Sequence, residues 1–162
     1  MVALPLLATG ALMKTSVKAA GFAALFVSLS LCATSVQARD TTHYFPIHEA
    51  LEEARAQGLD TDIRLYFGNQ KHPPVRSTIY TGITSNKKTS SANKTDQAAC
   101  NRAMQSALIA LQQAARNRGG NAVINIASYY NRRVYRSNSQ FECHSGNIMS
   151  GVVLRGDIVR LR

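Results

Sequence analysis

The chain has 162 residues, 45% of them apolar and 17% charged, with 19 Lys and Arg against 9 Asp and Glu. That length and balance fit one ordinary globular domain and exclude a multidomain protein, a disordered chain and a polytopic membrane protein. The formal charge of +10 favours anionic partners.

The first 38 residues carry Lys14 and Lys18, no acid, an apolar stretch from Ala19 to Leu31, and small residues at Val36 and Ala38. This is the pattern of a secretory signal peptide cleaved after Ala38, so residues 39–162 form the expected single domain. Met13-Lys14-Thr15 offers a second start for the same signal. An uncleaved anchor would need a longer apolar core. A lipobox at Leu29-Ser30-Leu31-Cys32 would need a small residue where Leu31 stands. Cleavage removes only two of the cations and none of the acids, so the basic character belongs to the domain. The expected location is the periplasm or the medium.

Along that domain, Ile47, Ala50, Leu51 and Ala54 recur at helical spacing between Pro46 and Gly58, which predicts a short helix over 47–57. Glu49, Glu52 and Glu53 then form its solvated face. Asp62 to Phe67 alternates apolar and polar residues and runs into Gly68-Asn69, as a strand entering a turn does. Gln70 to Val75 holds Pro73-Pro74, which cannot donate to a sheet, and a second strand is expected over Ser77–Ile83. Ser85 to Thr95 is hydroxyl, Asn and Lys throughout and reads as the longest exposed loop, made positive by Lys87, Lys88 and Lys94.

From Asp96 to Arg118, Cys100, Met104, Ala107, Leu108, Leu111 and Ala115 keep a helical stripe. Thr95 or Asp96 can cap it and Gly119-Gly120 stops it. Asn101, Arg102, Gln105, Gln112 and Arg116 fall on the opposite side. Asn121 to Tyr130 reads as a strand, Arg132 to Gln140 as a polar, basic hairpin excursion, and the return runs from Phe141 through Cys143, past Gly146 and Gly151, and then from Val152 to Leu161. Gly156-Asp157 breaks the last alternation and suggests a bulge or bend there. The resulting class is α+β, in the order α-β-β-α-β-β, with helices on one face of a small, mostly antiparallel sheet.

With Cys32 removed, Cys100 and Cys143 remain in an oxidising compartment, and one disulfide tying the long helix to the sheet is expected. Closing a loop of about 43 residues stabilises a fold by up to about 4 kcal/mol. A redox-active pair would show Cys-X-X-Cys spacing, which is absent. A metal site would draw on His72 and His144, with His43, His48 and the thiolates as further donors, yet no pair has zinc-type spacing. Walker, dinucleotide-binding, Gly-X-Ser-X-Gly and His-Glu-X-X-His motifs are all missing. No cofactor and no catalytic residue is assigned, and no nucleotide partner is expected.

The segment from Tyr129 to Arg136 is the most distinctive polar stretch. Tyr130, Tyr135 and their neighbours alternate with Arg132, Arg133 and Arg136, and guanidinium groups pair bidentately with phosphate or carboxylate while tyrosines offer stacking faces. With Lys71, His72, Lys87 and Lys88, it suits an anionic envelope polymer or lipid headgroups, with nucleic acid ranked last. A solvated basic hairpin is the plainer reading of the same residues.

Taken together, Tyr66 to Pro73, Thr84 to Thr89, Asn93 to Cys100, Gly119 to Ile126 and Glu142 to Gly146 resemble a family of small secreted proteobacterial proteins that carry the label "excinuclease ATPase subunit". The label does not suit this chain, which lacks the nucleotide-binding signature and has an export signal. More distantly, the long helix, Gly119-Gly120-Asn121-Ala122-Val123 and Gly151 to Leu154 are similar to the YbjQ-like family, described as heavy-metal-binding, and to the signalling domain of the Rcs outer-membrane stress sensor. That likeness implies an α+β fold with a disulfide between helix and sheet. Neither a sensor role nor a metal site transfers to residues here. The expected function is a non-enzymatic binding domain for an envelope protein or an anionic envelope polymer, with a metal-binding module next and a hydrolase or oxidoreductase last.

Overall fold

In the computed structural model, which describes residues 39–162, the chain runs β1 (Thr41–Pro46), α1 (Ile47–Ala56), β2 (Arg64–Phe67), β3 (Val75–Ser90), α2 (Asp96–Asn117), β4 (Ala122–Ser128), a 3-10 turn (Tyr130–Arg132), β5 (Gln140–Ser145) and β6 (Met149–Leu161). The expected export signal, the start at Met13 and Cys32 lie outside the described residues. The class is α+β as expected: two helices against a six-stranded, mostly antiparallel sheet.

Helix α2 forms where the apolar stripe predicts it. Thr95 Oγ1 accepts the Ala98 N–H at 3.2 Å, Asp96 lies in the first turn and Arg116 in the last, each placed to complement the helix dipole. Cys100, Met104, Leu108 and Leu111 are fully buried and pack on Val152, Leu154 and Ile158 of β6. Three residues assigned to the opposite side are buried too. Gln112 accepts from the Asp60 N–H and donates to the Asp60 and Ile63 carbonyls, while Asn101 donates to Glu53. These amides fasten α1 and the loop after it to α2, a task that helical periodicity cannot reveal.

Strand β6 is the centre of the sheet. Along one edge it pairs with β3 over its whole length; along the other it meets β5 through Ser150 and Gly151, then β4 through Leu154–Val159. Strand β2 adds to β4 in parallel, and β1 adds to β5 antiparallel. Cys100 and Cys143, both fully buried, form the expected disulfide with Cα atoms 5.9 Å apart, joining the start of α2 to β5.

Three expectations change. Strand β1 was not foreseen, because Thr41–Pro46 shows no apolar–polar alternation and is ordered by its pairing with β5, about a hundred residues along the chain. The exposed loop expected over Ser85–Thr95 is a strand as far as Ser90: Ile83 to Ser90 pairs residue by residue with Gly156 to Met149. Its hydroxyls, Asn and Lys conceal it because the free edge of β6, and not its own hydrophobicity, orders it. The irregularity at Gly156-Asp157 is real, but the extra residues sit on its two neighbours. Between Ile124 and Ala127, β4 spends one residue more than β6, at Asn125 with φ 56°; β3 does the same between Tyr80 and Ile83, where Gly82 has φ 71°. Asp157 accepts from Gly82 N–H on one oxygen and from Asn125 Nδ2 on the other, both at 2.8 Å, so one carboxylate fixes both bulges.

Candidate functional site

Side chains alternate across a strand, and directly paired residues share a face. Val152, Leu154, Gly156 and Ile158 turn toward α2, so Gly151, Val153, Arg155, Asp157 and Val159 turn to the opposite face, which no helix among the described residues covers. Register then carries Thr42, Tyr44, Glu142, His144, Ala127, Ile124, Thr84, Asn86 and Lys88 to that same uncovered face. Most of the polar and aromatic side chains singled out from sequence meet there.

The Tyr129–Arg136 segment is a closed loop laid over this face. Ser128 and Tyr135 exchange two backbone hydrogen bonds at its neck, Tyr129 N–H donates to Val153 at 2.8 Å, and Asn131 and Arg132 take left-handed backbone angles at its tip. Its tyrosines point inward. Tyr130 stacks on the His144 ring with centroids 3.4 Å apart, Tyr135 tilts against Tyr44 at 4.7 Å, and Tyr129 lies under the Arg155 guanidinium at 5.0 Å. The alternation of Tyr with Arg is thus divided: rings anchor the loop, while Arg132 and Arg133 stand exposed at its tip.

Beneath Tyr130 lies a buried polar cluster. His144 Nε2 is 2.7 Å from Glu142 Oε1, both residues being under 9% exposed, and Nδ1 faces Asp40 at 3.3 Å and Thr42 Oγ1 at 3.4 Å. Both ring nitrogens are committed, which ties β1, β5 and the loop together. Comparison with family models, curated proteins and solved structures finds no match. The chemistry of the face must therefore be read from its own residues.

The arginines and Asn125 define an opening. A cleft of about 250 Å³ lies between β4, β6 and the loop, lined by Asn125, Ala127, Ser128, Val134, Arg136, Arg155 and Asp157. Arg155 is held between Tyr129 and Gly82, where a Cβ would come within 2.6 Å of its guanidinium. Arg136 donates to the Gly68 carbonyl at 3.4 Å. It is brought there by the Gly68–Gln70 turn, which grips Asn138 through Asn69 N–H and Gln70 Nε2; at Gly68, φ 56°, any Cβ would strike Asn138. Among the described residues neither guanidinium has a carboxylate within 4 Å. Both oxygens of Asp157 are already used by the bulges. A larger cleft of about 320 Å³ beside β2 also holds Arg55 and Arg64, yet among the described residues no hydrogen bond or ring anchors either guanidinium group.

Of the residues named from sequence, Tyr130, Tyr135, Arg136, Lys88 and His144 gather on the uncovered face. His72 joins its far margin, edge-on to Tyr66 at 5.6 Å, with Nδ1–H donating to the Pro73 carbonyl at 2.8 Å. Lys71 is exposed in the loop beside it. Lys87 turns to the helix side, paired with Val152, so the two lysines do not act on one face. His72 and His144 each have their own partners, the two cysteines are bonded to each other, and among the described residues no three His, Cys, Asp or Glu side chains are placed to hold one metal ion, Asp40 and Glu142 lying on opposite nitrogens of His144. Sequence reasoning missed Arg155, Asn125, Glu142 and Asp40. Only the polar position of Arg155 within Val152-Val153-Leu154-Arg155-Gly156 hinted at it.

Proposed function

We propose that this chain is a non-enzymatic binding domain of an oxidising extracytoplasmic compartment, which holds an anionic envelope polymer at the Arg136–Arg155 cleft. The observation that carries the reading is the pair of guanidinium groups on one cleft, Arg155 stacked on Tyr129 and Arg136 bonded to the Gly68 carbonyl, neither in an ion pair among the described residues and together outnumbering the one carboxylate there, Asp157. Guanidinium groups held in this way bind carboxylate or phosphate with little ordering cost. Arg132 and Arg133 at the loop tip, with Lys88 on the same face, extend the positive field around the cleft. The buried disulfide agrees with such a compartment, and no described helix is long and apolar enough to cross a membrane.

Titration of the purified protein with polyglutamate and with polyphosphate, each at low and at physiological salt, tests this. Binding should weaken steeply with salt, and Arg136→Ala or Arg155→Ala should each reduce affinity by about tenfold or more, the usual loss for a hydrogen bond to a charged group. Lys71→Ala should change little. Unchanged affinity in both arginine variants would overturn the reading.

A further inference from the structure

The outer edge of β3 carries no strand among the described residues. Its first half protects itself: Pro73-Pro74 precede it, and three register shifts interrupt Val75 to Ile83. Bulges and prolines of this kind keep edges from pairing with other chains. The second half has neither prolines nor register shifts, and its lysines exclude only other basic edges. From Ile83 to Ser90 eight residues run in unbroken register with β6, leaving a regular row of outward backbone groups.

Two further features mark that half. A groove of about 280 Å³ runs beside it, between Ile83, Ser85 and Lys87 on the strand and Ala110, Leu111 and Ala114 on α2. The small alanines leave it open, and the Ser85 hydroxyl, in a residue only 6% exposed, has no hydrogen-bond partner among the described residues. A buried hydroxyl without a partner is costly. Beyond the groove, Lys87 projects to the helix side and Lys88 to the uncovered side, as their pairing with Val152 and Gly151 requires. Lysines on an edge repel another basic edge, including that of a second copy of this chain, and select an acidic one.

We propose that the Ile83–Ser90 edge is a strand-addition site for an extended, acidic segment of a partner protein. Two adjacent acids in that segment lie opposite Lys87 and Lys88, one on each face. Two residues along from the acid that meets Lys87, a hydroxyl side chain enters the groove and bonds Ser85. Main-chain hydrogen bonds supply the affinity and these side chains the selectivity.

The test is an isotope-labelled amide spectrum of the processed protein, titrated with a blocked synthetic peptide, Thr-Glu-Glu-Val-Thr-Val-Thr. Its controls are the same peptide with Lys-Lys in place of Glu-Glu and one with alternate N-methylated amides. Shifts should centre on residues 83–90 and 110–114, be absent with both controls, and weaken by about tenfold in Lys87→Glu/Lys88→Glu, two exposed ion pairs being reversed. Ser85→Ala, which keeps the fold and removes the hydroxyl, should weaken binding without moving its location. Equal binding of the N-methylated peptide would overturn strand addition. Shifts confined to the Arg136–Arg155 cleft would overturn it while leaving the anion site standing, and concentration-dependent shifts at 83–90 without peptide would overturn it in favour of self-pairing.

Discussion

Along β5, successive residues meet opposite environments: Phe141, Cys143 and Ser145 enter the core under α2, while Glu142 and His144 lie between the sheet and the Tyr129–Arg136 loop. The Glu142–His144 hydrogen bond is almost wholly shielded from water, and removing one member of such a pair strands the other. His144→Leu should therefore lower stability by about 3 kcal/mol, and Glu142→Leu/His144→Leu by less, because a paired apolar replacement leaves no buried group without a partner. Urea denaturation of both variants measures the difference; a double variant less stable than the single would refute the account. From sequence, His144 stood out only as a neighbour of Cys143. Of its partners, Glu142 stands two residues away on the same strand, whereas Asp40, just ahead of β1, reaches it only through the pairing of β1 with β5.

At the scale of elements, the bulges show how local geometry places the cleft. Asn125 reaches the cleft wall because β4 takes an extra residue, and Gly82 makes room for Arg155 because β3 does the same. Asp157 holds both. Asp157→Ala should cost about 1–3 kcal/mol, the usual range for losing hydrogen bonds to a charged acceptor, and should also weaken polyanion binding, since both bulges then relax. Chemical denaturation together with the polyglutamate titration reads the two effects; unchanged binding with lowered stability would separate the bulges from the site. Helix α2 was legible because its apolar stripe, Cys100 to Ala115, repeats over about four turns. The second half of β3 was not, since both its faces are polar and its order comes from an edge supplied by β6, some 60 residues further along the chain.

For the molecule as a whole, the disulfide is the longest-range tie that sequence could name. It joins residues 43 apart and connects α2 to β5 behind the polar cluster. Cys100→Ala/Cys143→Ala should lose about 2–4 kcal/mol, chiefly by enlarging the unfolded ensemble. The midpoint of urea unfolding should fall, with the same native circular dichroism spectrum; an unchanged midpoint would mean that packing around Met104, Leu108 and Phe141 alone sets stability. The charges divide in the same large-scale way. Glu49, Glu52 and Glu53 lie on α1, whereas Arg132, Arg133, Arg136, Arg155 and Lys88 lie on or around the face opposite the helices and outnumber the acids there, Asp40, Glu142 and Asp157, which leaves that face net positive.

Hydrophobic periodicity, turn residues and cysteine count determined the α+β class, both helices, most strands and the disulfide, because each is a signal carried by neighbouring residues or by elimination between few partners. Register decided the rest. A strand's side chains take one face or the other according to pairing with chains far away in sequence, so only the tertiary structure could separate Lys87 from Lys88, turn the tyrosines of the basic loop inward, and bring Arg155 to Arg136.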